Sequence, residues 1–173
     1  MEDDVKKATF EAIEKIGTFY RGSVINEWAK LEKCVELIIT SHLSGDPQTR
    51  GKIAILLLGR MTFHAKKEVI NTLLVNYNEL YPNKQQKKSF TKYVDALGGV
   101  NRERNIFAHH ILNTTDEGLQ AFPDKIGYVE YKDGSLTHWY TQELFGKLIE
   151  RILTIKDETM TLYNTLVPPA NRK

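Results

Sequence analysis

The chain has 173 residues, of which 41% are hydrophobic and 27% charged, and a formal net charge of +2. That length suits a single domain with a real core, expected over residues 1–173, and the small total charge gives no argument for nucleic acid by itself. One cysteine, Cys34, excludes an intrachain disulfide framework and fits a reducing compartment.

The opening is acidic (Glu2, Asp3, Asp4), unlike the basic start of a signal peptide. The most apolar run, Ile53 to Leu58, is far short of the ~18 residues of a membrane span. A cytoplasmic protein without a membrane partner is the expectation. Residues 3–17 read as a first amphipathic segment that Gly17 ends or joins to the next. Residues 18–43 read as a long helix, because Trp28, Leu31, Val35, Ile38 and Ile39 recur mostly at spacings of three and four. Ser44 to Gln48 is turn chemistry. A further helix runs from about Thr49 to Asn76, with a break expected near Gly59; Arg60 and His64 stand four apart in it. Tyr77 to Asn83 is a loop. Lys84 to Leu97 is the next helix, and Gly98-Gly99 is expected to end it.

A short helix then begins, with Asn101 as a plausible N-cap and Glu103 suited to its first turn. Its sequence is Asn101-Arg102-Glu103-Arg104-Asn105-Ile106-Phe107-Ala108-His109-His110-Ile111-Leu112. Asn105 and His109 are four apart and share a face, and Arg102 falls near the same stripe. Arg104 lies well around the cylinder, but its long side chain can swing its guanidinium toward that face. Ile106, Ala108 and Leu112 are the expected core contacts, with Phe107 fitting less well. Lys84, Lys87, Lys88 and Lys92 precede this helix; the run is either a guide for a polyanion or a solvated face.

Residues 113–123 read as loop. Ile126 to Tyr131 and Leu136 to Tyr140 are strand-like, and the Asp133-Gly134 dipeptide between them signals a β-hairpin. Thr141 starts a last helix that Leu144, Leu148, Ile149, Ile152 and Ile155 carry to about Leu166. Residues 167–173 read as a tail.

The helix over 101–112 carries parts suited to a phosphodiester. An imidazole near neutrality moves protons, a guanidinium neutralises developing phosphate charge, and a carboxamide holds either in register. With the RNA 2′-hydroxyl as nucleophile, no metal is needed. Arg104-Asn105-Ile106-Phe107-Ala108-His109 resembles the Arg-(four to six residues)-His motif of the HEPN-domain family, including the Asn directly after the Arg. The wider resemblance covers roughly residues 20–165. It implies a mainly α, HEPN-like helical bundle with one small β-hairpin insertion (126–140) before the last helix, often a homodimer. It implies a metal-independent endoribonuclease, of the kind found in toxin–antitoxin and phage-defence systems, with RNA as substrate and a cognate antitoxin as a possible protein partner. Arg104, Asn105 and His109 would be catalytic. Arg102, His110 and Lys92 would support substrate binding. Glu32, in a Trp-x-x-Leu-Glu stretch, would fix the Arg104 rotamer or would be an ordinary solvent carboxylate beside Lys30 and Lys33.

Other chemistries have less support. The histidines are His42, His64, His109, His110 and His138. There is no second Cys and no His-Glu-x-x-His, and adjacent His109 and His110 diverge by about 100° on a helix, so no metal is expected. Phosphate-loop and dinucleotide fingerprints are absent, so no cofactor is expected. The competing reading is a non-catalytic dimeric module of the same fold that binds or scaffolds a nucleotide, RNA or protein.

Overall fold

The computed structural model describes residues 2–130 and 136–172. The described residues form six α-helices and a three-stranded antiparallel sheet, the mainly α fold with a small β insertion that the periodicities predict. The elements are α1 (Glu2–Leu43), α2 (Pro47–Leu56), a 3-10 turn (Leu58–Arg60), α3 (Phe63–Leu80), α4 (Lys84–His109), β1 (Ile111–Leu112), α5 (Asp116–Ala121), β2 (Ile126–Glu130), β3 (Leu136–Tyr140) and α6 (Gln142–Leu166), followed by a 3-10 turn (Pro169–Asn171). Among the described residues no helix is long and apolar enough to cross a membrane.

Of the two readings of Gly17, the joined one holds: α1 runs through it. A Cβ at Gly17 would sit 2.6 Å from Leu112 Cδ1, so this glycine serves close packing. Its carbonyl also accepts from Tyr128 Oη at 2.8 Å. Gly98-Gly99 does not end a helix either, and α4 continues to His109. Each helical Gly costs about 1 kcal/mol relative to Ala, but Leu97, Val100 and Phe107 of the same helix are fully buried, which more than offsets that cost at ~1.5–3 kcal/mol per large side chain. The N-cap role therefore moves from Asn101 to Asn83, whose Oδ1 accepts from Gln86 N at 3.0 Å. The break near Gly59 is present: α2 stops and α3 restarts at Phe63, with Thr62 as N-cap. Arg60 and His64 consequently lie on different elements.

By packing, the chain divides into two compact units. The first comprises the residues up to Trp28 together with Arg102–Arg151; the second comprises Ala29–Asn101 and the chain from Ile152 onward. In the first, Ile13, Tyr20, Val24 and Trp28 of α1 are buried, as are Phe107, Tyr128, Tyr140 and Phe145. The Tyr20 and Phe145 rings stack at 3.8 Å. β2 pairs with β3 in the register Ile126↔Tyr140 through Glu130↔Leu136, as a hairpin predicts; the expected turn, including Asp133-Gly134, lies outside the described residues. On its other edge β2 pairs with β1, a strand that the loop expectation for 113–123 and the helix expectation for 101–112 both pass over. α5 also occupies that expected loop. Gly118 lets it pack, since a Cβ there would lie 2.2 Å from the Asn113 carbonyl oxygen.

In the second unit, Leu31, Val35, Ile38, Ile39, Ile70, Leu74, Leu97 and Ile152 are buried. A charged group is buried among them. Lys66 Nζ lies 2.7 Å from Glu32 Oε1 and 2.6 Å from Glu36 Oε1, and its side chain is only 5% exposed. Lys33 reaches Glu36 Oε2 at 2.6 Å. Burial alone would raise the Glu36 carboxyl, but the hydrogen bonds and charges of Lys33 and Lys66 outweigh it and hold it below its ordinary value. Burial opposes the Lys66 charge, yet Glu32 and Glu36 leave it above its ordinary value. The end of the chain is not a loose tail: Val167 is buried, and Arg172 donates to the carbonyls of Val167 and Asn164.

Gly118→Ala should lower stability by about 1–3 kcal/mol through overpacking against rigid backbone, read as a lower urea midpoint. Lys66→Met strips buried Glu36 and half-buried Glu32 of their shared cation and should cost about 3–5 kcal/mol. The network's contribution is present between the ordinary Glu and Lys values. It is lost in acid as pH falls through the depressed Glu36 value, and in alkali as pH rises through the raised Lys66 value. A denaturation midpoint of Lys66→Met matching wild type at neutral pH would contradict this.

Candidate functional site

The site residues of the first unit stand on the last turns of α4. Phe107 fixes their orientation. It is fully buried, with its ring 4.7 Å from both Tyr128 and Tyr140. The sequence expectation for this helix is corrected here: Phe107 is the anchor, whereas Ile106 and Ala108 are only half-buried. With Phe107 pointing at the sheet, helical spacing turns Glu103 and His110 toward the sheet as well and leaves Arg102, Asn105 and His109 on the opposite side. Arg102 and His109 are exposed and Asn105 half-buried.

Arg104 bridges toward that outer side. Its Nη1 donates to Asn105 Oδ1 at 3.1 Å, so the guanidinium does swing to the Asn105–His109 stripe. Its Nε is buried and has no hydrogen-bond partner among the described residues. Glu32 belongs to the second unit and accepts from Lys66 at 2.7 Å. Lys92 also belongs to the second unit and is exposed on α4, as are Lys84, Lys87 and Lys88.

The inner side holds a second set of groups. His110 follows the last helical residue, and its carbonyl accepts from Arg21 Nη2 at 2.7 Å. Arg21 also lies 5.7 Å from the centre of the Tyr128 ring. The His110 ring is 5.2 Å from the His138 ring of β3. Its Nδ1 is buried without a hydrogen-bond partner among the described residues. Burial lowers the His110 imidazole below its ordinary value; Glu130 opposes this, and His138 and His109 add to it. Tyr140 donates to Glu103 Oε2 at 2.6 Å, and burial followed by this carboxylate raises the phenol far above its ordinary value.

The sequence thus gives the Arg104–Asn105–His109 side, but not His138, Arg21 or Tyr140. These lie 28, 89 and 30 residues from His110, respectively. The only local signal for them was the strand alternation, which puts His138 and Tyr140 on one face of β3. Among the described residues no group of three or more His, Cys, Asp or Glu side chains is arranged to hold a metal ion.

A histidine NMR titration should place His110 below about 6.5. Glu130→Gln should lower it further and His138→Ala should raise it, since each variant removes one of the opposing influences. A midpoint at or above the free imidazole value would contradict the burial described. Comparisons with family models, with curated proteins and with solved structures find no match for this chain.

Proposed function

We propose that the chain is a metal-independent endoribonuclease of HEPN type. The observation that carries the reading is the Arg104–Asn105 bond beside exposed His109 on the last turns of α4, which collects a guanidinium, an amide and an imidazole on one stripe. In this reading His109 takes the 2′-hydroxyl proton. The 2′-oxygen attacks phosphorus, and the bond to the 5′-oxygen breaks. Arg104 stabilises the negative charge that gathers on the phosphate oxygens. Asn105 holds Arg104 in place, and Arg102 meets an adjoining phosphate. His110 supports substrate binding from the inner side, where burial holds its imidazole below its ordinary pKa. A two-fold homodimer that brings two such helices together would supply a second imidazole as acid. A toxin or phage-defence role with an antitoxin partner, and a cytoplasmic setting, belong to the same proposal.

One observation favours a second reading, a dimeric helical module that binds nucleotide, RNA or protein without cleaving it. Arg104 is already engaged inside its own chain by Asn105, as a structural arginine would be.

Incubating the purified protein with labelled RNA in EDTA separates the two. The nuclease reading expects 2′,3′-cyclic phosphate and 5′-hydroxyl ends, resistance of DNA, and a loss of at least about 10²-fold in His109→Ala or Arg104→Ala. Undiminished cleavage by His109→Ala would remove His109 from the chemistry. Selective RNA binding without cleavage would favour the module.

A further inference from the structure

Beside the α4 site, within the first unit, lies a groove of about 380 Å³ that none of these roles uses. Its volume is at the small end of the ~300–1,000 Å³ of ligand pockets, which suits one nucleotide and not a duplex. One wall is apolar, from Ile106 of α4 and Leu148 of α6. Lys147 and Arg151 stand along it from α6, and His138 closes it on the β3 side. The His138 ring is the one that lies 5.2 Å from His110, so the groove opens beside the imidazole pair. Glu103 also lines it. One carboxylate oxygen, Oε2, is committed to the Tyr140 hydroxyl; Oε1 has no hydrogen-bond partner among the described residues. Lys147 is paired with Glu143 at the surface, whereas Arg151 has no carboxylate partner among the described residues.

A groove with one apolar wall, an acceptor-only carboxylate and a guanidinium without a carboxylate partner among the described residues has a defined complement: a flat ring that carries an amino group, with a phosphate beside it. We propose that this groove seats one nucleotide of single-stranded RNA, with Glu103 reading an amino group of the base and Arg151 meeting its phosphate. A carboxylate accepts but cannot donate. It therefore favours bases with an exocyclic amine (adenine, cytosine and guanine) over uracil, which has none and offers carbonyls at its edges. The fixed Tyr140 bond holds Glu103 in one rotamer, which is what selective reading requires. The inference rests on the RNA reading above but not on cleavage.

The test is fluorescence anisotropy with labelled 2′-O-methyl oligoadenylate, oligocytidylate and oligouridylate, which cannot be cut through the 2′-oxygen. Wild type should bind the first two about tenfold more tightly than the third, the low end for a hydrogen bond to a charged group. Glu103→Gln keeps an acceptor for the Tyr140 hydroxyl and gains a donor, so it should bring oligouridylate level with the others. Arg151→Ala should weaken all three alike and reduce the salt slope by roughly one. Ile106→Trp, which fills the slot from the helix side, should abolish binding even if Glu103→Gln proves unstable. An unchanged base ranking in Glu103→Gln, or undiminished binding by Ile106→Trp, would overturn the seat. Adenosine monophosphate competing on equal terms with oligoadenylate would assign the groove to a free nucleotide and overturn the RNA assignment. Cleavage of ordinary RNA is scored separately: selective binding without cleavage keeps the seat and discards the nuclease, and cleavage with no effect of Glu103→Gln does the reverse.

Discussion

The rotation of the last turns of α4 is set by one side chain. Phe107 is clamped between Tyr128 and Tyr140, and a fully buried Phe in such a cluster contributes more than the hydrogen bonds around it. Its orientation divides the helix into an inner side, with Glu103 and His110, and an outer side, with Arg102, Asn105 and His109. Turning the helix by one residue, about 100°, would swing the ring off the sheet and bring Arg102 or Arg104 toward it, which is far too costly to compete. The chemistry of the region is a by-product of this hydrophobic choice.

The clamp depends in turn on a close approach at Gly17. Without a side chain there, Leu112 can occupy the space against α1, and the Tyr128 hydroxyl reaches the Gly17 carbonyl. The aromatic that holds Phe107 is thus itself tied to the first helix, and Arg21, one turn further along α1, grips the carbonyl of His110. Sheet, first helix and motif residues are mutually fixed within the first unit.

What the sequence made legible follows from the range of the signals. Helical spacing of Trp28, Leu31, Val35 and Ile38 marks a buried face, and the strand-like runs Ile126 to Tyr131 and Leu136 to Tyr140 on either side of Asp133-Gly134 mark a hairpin. The misreading came where a local rule met a tertiary contact. Gly98-Gly99 looks like a terminator, but it lies in a helix whose neighbours are buried. The Lys66 partner of Glu32, 34 residues away, cannot be foreseen from spacing. Arg104, Asn105 and His109 were visible as a cluster because they share one helix; His138 was not, because its meeting with His110 is made by sheet pairing. Phe107 was underrated because two aromatic partners from another part of the chain decide its burial.

The passage from α4 to β1 takes a single residue, His110. Any insertion or deletion between Phe107 and Leu112 would have to be absorbed by a helix end and a strand register at once. Length variation is therefore forbidden around His110. The interval that drifts last is Glu103-x-x-x-Phe107-x-x-His110, a longer and rarer pattern than an arginine followed by a histidine.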